Sequence, residues 1–146
     1  MGRGDTSARC AWRGVAATAN LKLFDFCDPV ITQPGAYRRT CTRVPQVKRL
    51  FIGYGSFFTD PAELDAYWKS TQWQMWLDGR KVALRAFGTS DRTLIAFPPA
   101  GGSYATLRGW RVMLVRPSVG QHVIRYRSVT GTDALDATWV FRIYRP

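Results

Sequence analysis

The clearest period along the chain is two. In residues 122–127, Val123, Arg125 and Arg127 alternate with His122, Ile124 and Tyr126, and in residues 138–144 Trp139, Phe141 and Ile143 alternate with Thr138, Arg142 and Tyr144. Successive side chains of a strand point to opposite faces, so each segment can bury one face and present arginine on the other. The polar stretch 131–136 between them reads as a loop. Upstream, strand signals begin at Asn20, where Leu21 and Leu23 oppose Lys22, Phe24 and Phe26. Residues 37–43 form a polar strand around Cys41, and residues 47–54 a third, with Leu50 and Ile52 on one face and Phe51 on the other.

Residues 72–87 predict a hairpin. Trp73, Met75 and Leu77 share one face, Val82, Leu84 and Ala86 share one on the return, and Asp78-Gly79 supplies the positive φ values of a tight turn. Residues 93–97, before Pro98-Pro99, and residues 107–115, with Trp110, Val112 and Leu114 inward and Arg111 and Met113 outward, complete the strand signals. One helix start stands out at Asp60-Pro61-Ala62-Glu63: Asp60 suits the N-cap, Pro61 the first helical position, and Glu63 a capping box. That helix ends near Lys69 and shows a stripe of Leu64, Tyr67 and Trp68. About eight short strands and one short helix near 60–69 predict an all-β, antiparallel sandwich with Greek-key connections. One domain is expected over 20–146, after a flexible segment at 1–19 that lacks any sustained period.

Composition adds a charge and a compartment. At 146 residues the chain suits one domain. Its 21 basic and 10 acidic residues leave a net charge of +11, which favours acidic partners such as nucleic acid, anionic glycans or a lipid surface. Arginine outnumbers lysine 17 to 4, a ratio that suits bidentate recognition of phosphate or carboxylate and equally follows from GC-rich coding. The candidate binding surface is Arg125, Arg127 and Arg142 on paired strands, Arg111 and Arg116 on the same outward side, and Trp76, which alternation sets opposite Trp73 and Met75. The alternative is a solvated sheet face whose arginines discourage aggregation. No apolar run approaches the roughly 20 residues of a membrane helix.

Cys27 and Cys41 flank a turn-forming stretch containing Pro29, Pro34 and Gly35, and a disulfide between them is expected, with two buried free thiols as the alternative. Cys10 is left over. A bridged pair points to an extracellular or cell-surface location, with the leader not present in this chain.

Candidate chemistry is sparse. His122 is the one histidine, so zinc lacks ligands, and its place in an alternating strand suggests a surface or edge residue. No Gly-x-Ser-x-Gly elbow accompanies it. Asp60 and Glu63 are explained by capping, and Asp133 and Asp136 offer two carboxylates where calcium takes several oxygens. Gly101-Gly102-Ser103 lacks the lysine and helix of a nucleotide loop, and Arg3-Gly4-Asp5 lies in the tail. No catalytic residue, metal or cofactor is expected, and the chain is not expected to be an enzyme.

Residues 117–127, Pro-Ser-Val-Gly-Gln-His-Val-Ile-Arg-Tyr-Arg, followed by Ala137-Thr138-Trp139-Val140-Phe141, resemble the closing strands of bacterial extracellular immunoglobulin-like domains. In those a Pro-x-x-Gly turn launches an aromatic-bearing strand. The segment Trp73 to Leu77 before Asp78-Gly79 is also similar to stretches of uncharacterised secreted bacterial proteins. The resemblance implies an immunoglobulin-like sandwich used for adhesion, display or spacing, although the chain lacks the Cys, Trp, Cys spacing of that fold and inserts a helix. The expected function is a secreted or cell-surface, non-catalytic binding or structural module. Its partner would be a protein or an acidic glycan, and its edge strands could pair into a homo-oligomer or filament. The rivals are a basic nucleic-acid binder and a glycan hydrolase, the latter needing two carboxylates in one cleft.

Overall fold

The period-two pattern near the C-terminal end forms β10 (Gly120–Thr130) and β11 (Asp133–Tyr144), paired antiparallel from Gly120↔Ile143 to Thr130↔Asp133. In this computed structural model, which describes residues 20–27, 36–94 and 104–145, the expected 131–136 loop is a two-residue turn. Gly131 takes φ 59°, so the chain reverses at once, and Asp133 and Asp136 belong to the strand. The segment 1–19 with Arg3-Gly4-Asp5 and Cys10, the turn at 28–35, Pro98-Pro99 and Gly101-Gly102-Ser103 lie outside the described residues.

β5 (Thr71–Leu77) pairs antiparallel with β10, β2 (Ala36–Pro45) runs parallel to β11, and β6 (Arg80–Lys81) completes a five-stranded sheet of order β2-β11-β10-β5-β6. Its inner face buries Met75, Leu77, Ile124, Tyr126, Ala137, Trp139, Phe141 and Ile143, the residues that alternation places inward. Between Phe141 and Ile143 the β2 register slips. Arg43, at φ 56°, is the extra residue, and the bulge lets both Cys41 and Val44 face the core.

The Asp78-Gly79 turn has positive φ at both positions, 49° and 79°, as a type I′ hairpin requires. The return strand, however, is two residues long instead of reaching Phe87. After Val82 N donates to Met75 O at 2.8 Å, the chain enters a 3-10 turn at Leu84–Ala86. Val82 and Leu84 are buried there, so a tight turn satisfies the same spacing of apolar residues as a strand.

The facing layer consists of two three-stranded sheets. In one, β3 (Arg49–Phe51) lies between β1 (Asn20–Lys22), parallel to it, and β9 (Met113–Val115); in the other, β8 (Ala105–Trp110) lies between β4 (Gly55–Phe58) and β7 (Thr89–Leu94). The expected strands 47–54 and 107–115 are therefore each broken in two. At the break Ile52 N and Gly53 N both donate to Val112 O, at 2.9 and 3.1 Å, and Trp110 N donates to Tyr54 O at 3.0 Å. Backbones approach so closely here that a Cβ on Gly53 would fall on the Trp110 carbonyl oxygen, and one on Gly55 on that of Arg108. β4 carries no alternating pattern that would predict it, and β7 begins four residues before the expected strand at 93.

The chain is thus all-β and sandwich-like, with eleven strands among the described residues where about eight were expected, and with two parallel pairings in place of a purely antiparallel arrangement. Leu50, Ile52, Val112 and Leu114 of the facing layer join the inner face of the five-stranded sheet in one core. Full burial of a side chain of this size contributes about 1.5–3 kcal/mol. Two tyrosines tie the layers together: the Tyr126 hydroxyl donates to Ile52 O, and the Tyr54 hydroxyl reaches Gln74 O at 3.0 Å and Arg127 O at 3.1 Å.

The helix α1 (Pro61–Ser70) starts as expected, with the Asp60 carboxylate accepting from Ala62 N at 2.9 Å, a cap that contributes about 1 kcal/mol. Leu64 is its buried anchor. Arg108 of β8 then holds the helix to the sheet, donating to Asp91 through Nε and Nη2 at 2.8 and 2.9 Å and pairing with Asp65 at 2.8 Å.

Candidate ligand-binding face

Register assembles the basic face. Directly opposed residues of neighbouring strands share a sheet face. The pairs Arg38↔Thr138, Arg125↔Thr138, Arg125↔Trp76 and Trp76↔Lys81 therefore form one row across all five strands, on the side away from the core. The next row holds Asp136, Arg127 and Gln74, and toward the other end Arg142 opposes Gln121. Strands lie about 4.8 Å apart, so Arg38, Arg125 and Lys81 rise from the sheet at intervals of about 10 Å.

Arg125 is the fixed centre of this face. Its Nε and Nη2 bind Asp136 Oδ1 and Oδ2 at 2.9 and 2.5 Å, and its Cζ lies 4.9 Å from the centroid of the Trp76 ring. The hydrogen bonds from Arg125, helped by the charges of Arg125 and Arg127, hold the Asp136 carboxyl below the ordinary range. They also raise Arg125. Asp136 is the one carboxylate in these rows, so Arg38, Arg127, Arg142 and Lys81 leave a clear excess of positive charge. Trp76 is half-buried beneath the Arg125 guanidinium, which occupies the ring face that a stacked base would need.

The sequence-predicted set divides accordingly. Arg125, Arg127, Arg142 and Trp76 share the face. Arg111 and Arg116 do not: Arg111 sits in the link between β8 and β9, its N–H bonded to Gly88 O at 3.0 Å, and Arg116 follows β9, its N–H bonded to Lys48 O at 2.9 Å. Both belong to the other layer, because β8 and β9 pair only with strands of the two three-stranded sheets. Arg38 and Lys81 take their place on the face. Alternation in β2 separates Arg38 from Arg39, but only the parallel β2–β11 pairing says whose arginines it joins.

The sulfurs of Cys27 and Cys41 lie at disulfide-bonding distance, with Cα atoms 3.9 Å apart and a sequence separation of 14, and the two residues form an isolated antiparallel bridge. A crosslink at this position would clamp the segment after β1 onto β2, the edge strand that carries Arg38.

Expected on the surface or an edge, His122 is instead buried at 5% exposure in the central strand β10, on the inward face that it shares with Ile124 and Tyr126. Its Nδ1 lies 2.7 Å from Asp78 Oδ2, and its Nε2 lies 2.8 Å from the Ser118 carbonyl oxygen and 3.2 Å from the Ser118 hydroxyl. These are the members of a Ser-His-Asp triad at comparable separations. The nearer partner of Nε2 is the Ser118 carbonyl oxygen, which only accepts, and not the hydroxyl that a nucleophile would present. With Asp78 Oδ1 accepting from Val123 N at 2.8 Å, the cluster pins the β5–β6 turn to β10.

Two cavities accompany the face. One, of about 620 Å³, lies between the layers and is lined by Phe51, Tyr54, Met113, Tyr126 and Trp139 with Lys22 and Arg92. The other, of about 720 Å³, follows the β5 edge beside Trp68, Trp73 and Trp110. No described residue lining either is a carboxylate, so neither offers the paired acids of glycoside hydrolysis. Among the described residues no three His, Cys, Asp or Glu side chains gather as a metal site would require, and no helix is long and apolar enough to cross a membrane.

Fold and face together define an all-β, sandwich-like protein with a basic outer sheet. No protein-family model matches the chain, and no curated protein is significantly similar to it.

Proposed function

We propose that this protein is a non-catalytic binding module of the cell exterior or cell surface, which holds an acidic glycan on the outward face of its five-stranded sheet. The observation that carries this reading is the cross-strand row Arg38–Thr138–Arg125–Trp76–Lys81 with Arg127 and Arg142 beside it and one carboxylate, Asp136, among them. Guanidinium groups present paired N–H donors that match carboxylate and sulfate oxygens. A rigid sheet holds them at regular intervals, so a repeating anionic polymer can meet several at once without ordering a loop first. Cys27 and Cys41, at disulfide-bonding distance, support an oxidising compartment, where acidic glycans are available polyanions. On the sheet face itself Arg125 covers the ring of Trp76, which favours contacts through charge over base stacking there.

The test is retention on heparin, compared with a neutral dextran and with single-stranded DNA of equal charge, for wild type and the Arg38→Glu, Arg127→Glu, Arg142→Glu variant. Heparin binding that weakens with salt and drops about tenfold or more in the variant is expected, since three surface charge contacts of up to about 1 kcal/mol each are reversed. Equal retention of variant and wild type would overturn the reading. DNA bound more tightly than heparin, with the same loss in the variant, replaces the glycan by nucleic acid.

A further inference from the structure

We infer that the groove at the edge of this sheet, where α1 ends and β5 begins, is a subsite that takes one sugar ring of the acidic glycan through its tryptophan wall. The inference rests on the glycan reading of the sheet face and extends it to a place where rings, not only charges, are recognised.

The groove exists because β6 is short. Its two residues pair with Trp76 and Leu77, so the β5 stretch from Thr71 to Gln74 has a ladder partner only on the β10 side. Along the open side runs a cavity of about 720 Å³, bounded by the end of α1 and by the chain that follows β6. Its wall is aromatic. Trp68 and Trp73 lie with ring centroids 4.4 Å apart at 30°, and Trp68 and Trp110 at 5.4 Å and 40°. All three indoles are half-buried, so packing fixes them while part of each stays open. Their nitrogens do not fix them: Nε1 of Trp73 and of Trp110 is buried without a hydrogen-bond partner among the described residues.

Around this wall stand Lys69, Lys81 and Arg85, with the amides of Gln72 and Gln74, and no carboxylate among the described lining residues. Each group suits a different part of a uronate or sulfated sugar. The C–H face of the ring packs against indole, amides exchange hydrogen bonds with hydroxyls, and the cations meet the acid. A neutral sugar leaves three cations unmatched, and an aliphatic acid leaves the amides unmatched. Lys81 is also the last member of the row that begins at Arg38, so a chain lying on the basic face reaches the groove without a gap.

The experiment titrates wild-type protein with a heparin tetrasaccharide while following the indole N–H resonances, beside a neutral tetrasaccharide and a four-residue oligothymidylate. Shifts at Trp68, Trp73 and Trp110, with the core Trp139 unmoved, are expected for the heparin fragment alone. Lys69→Glu with Arg85→Glu, both exposed and outside the face, should weaken the fragment about tenfold while full-length heparin still depends mainly on Arg38, Arg127 and Arg142. The subsite is refuted, and the face reading survives, if full-length heparin binds through the face but the fragment moves no groove indole or binds the groove variant as tightly as wild type. Equal shifts with oligothymidylate refute it in favour of base stacking. If full-length heparin is not bound at all, the underlying reading has failed. The resonance measurement uses the unaltered protein, so a variant that does not fold leaves the outcome decided.

Discussion

Arg125 reaches diagonally across the β10–β11 ladder to Asp136, two residues from Thr138, which directly faces it. The residue facing Asp136 is Arg127, yet the bidentate bond goes to Arg125, whose guanidinium also lies against Trp76. The acid thereby neutralises the centre of the face and leaves its surroundings positive.

Asp136→Asn should therefore strengthen binding of acidic polymers. We expect heparin affinity to rise about two- to threefold, the effect of removing one half-buried carboxylate that competes with the ligand for Arg125. Titration calorimetry at two salt concentrations checks this, and unchanged or weaker binding contradicts the assignment of the face.

Acid should destabilise the fold through the same kind of pair. Hydrogen bonds from Arg108 hold Asp91 below the ordinary carboxylate range, as those from Arg125 do Asp136. A carboxyl whose folded pKa is depressed stabilises the fold fully above its unfolded value of about 3.9 and loses that contribution as pH falls through the folded value. Tm measured from about pH 5 down to pH 2 should fall, and it should fall less steeply in the Asp91→Asn, Asp136→Asn variant. Parallel curves would count against both pairs.

Glycine substitutions should separate close approach from turn geometry. Gly53→Ala sets its Cβ on the Trp110 carbonyl oxygen, so the joined sheets of the second layer must part, at a cost of about 1–3 kcal/mol or more. Gly79 at φ 79° has open space for an added methyl, with nothing within 4 Å, so Gly79→Ala costs only the left-handed backbone penalty, about 1–2 kcal/mol, and Gly79→Asn less. Urea denaturation ranks the three, with Gly53→Ala lowest.

Cys27→Ser with Cys41→Ser should lower stability by about 3 kcal/mol, the chain-entropy value for a closed loop of this size. Peptide mapping without reductant should recover the two cysteines in one crosslinked product. Separate peptides, or a variant as stable as wild type, would show that the pair is not bridged.

Much of the fold is legible in the sequence because alternation is local. Which of Ile124 and Arg125 faces inward follows from their order in one strand, and the Asp60 cap and Asp78-Gly79 turn need only their own neighbours. The breaks are not legible. Residues 107–115 alternate without interruption, yet the chain changes sheets at Val112, whose carbonyl takes donors from both Ile52 and Gly53. That backbone contact lies some sixty residues away and leaves no trace in side-chain pattern. His122 misleads for a related reason: its partners, Asp78 and the Ser118 carbonyl, are brought to it by pairing and by a turn.

The amino-acid order alone determined which apolar side chains are buried along the clearly alternating strands, where the helix begins, and that the molecule is strongly basic, since these depend on spacing and count. Only the tertiary structure decided which arginines stand together and that tryptophans from a helix and two sheets, Trp68, Trp73 and Trp110, form one wall. Strand order and register are settled by burial across the whole core, where every strand competes for the same neighbours, and no single segment contains that information.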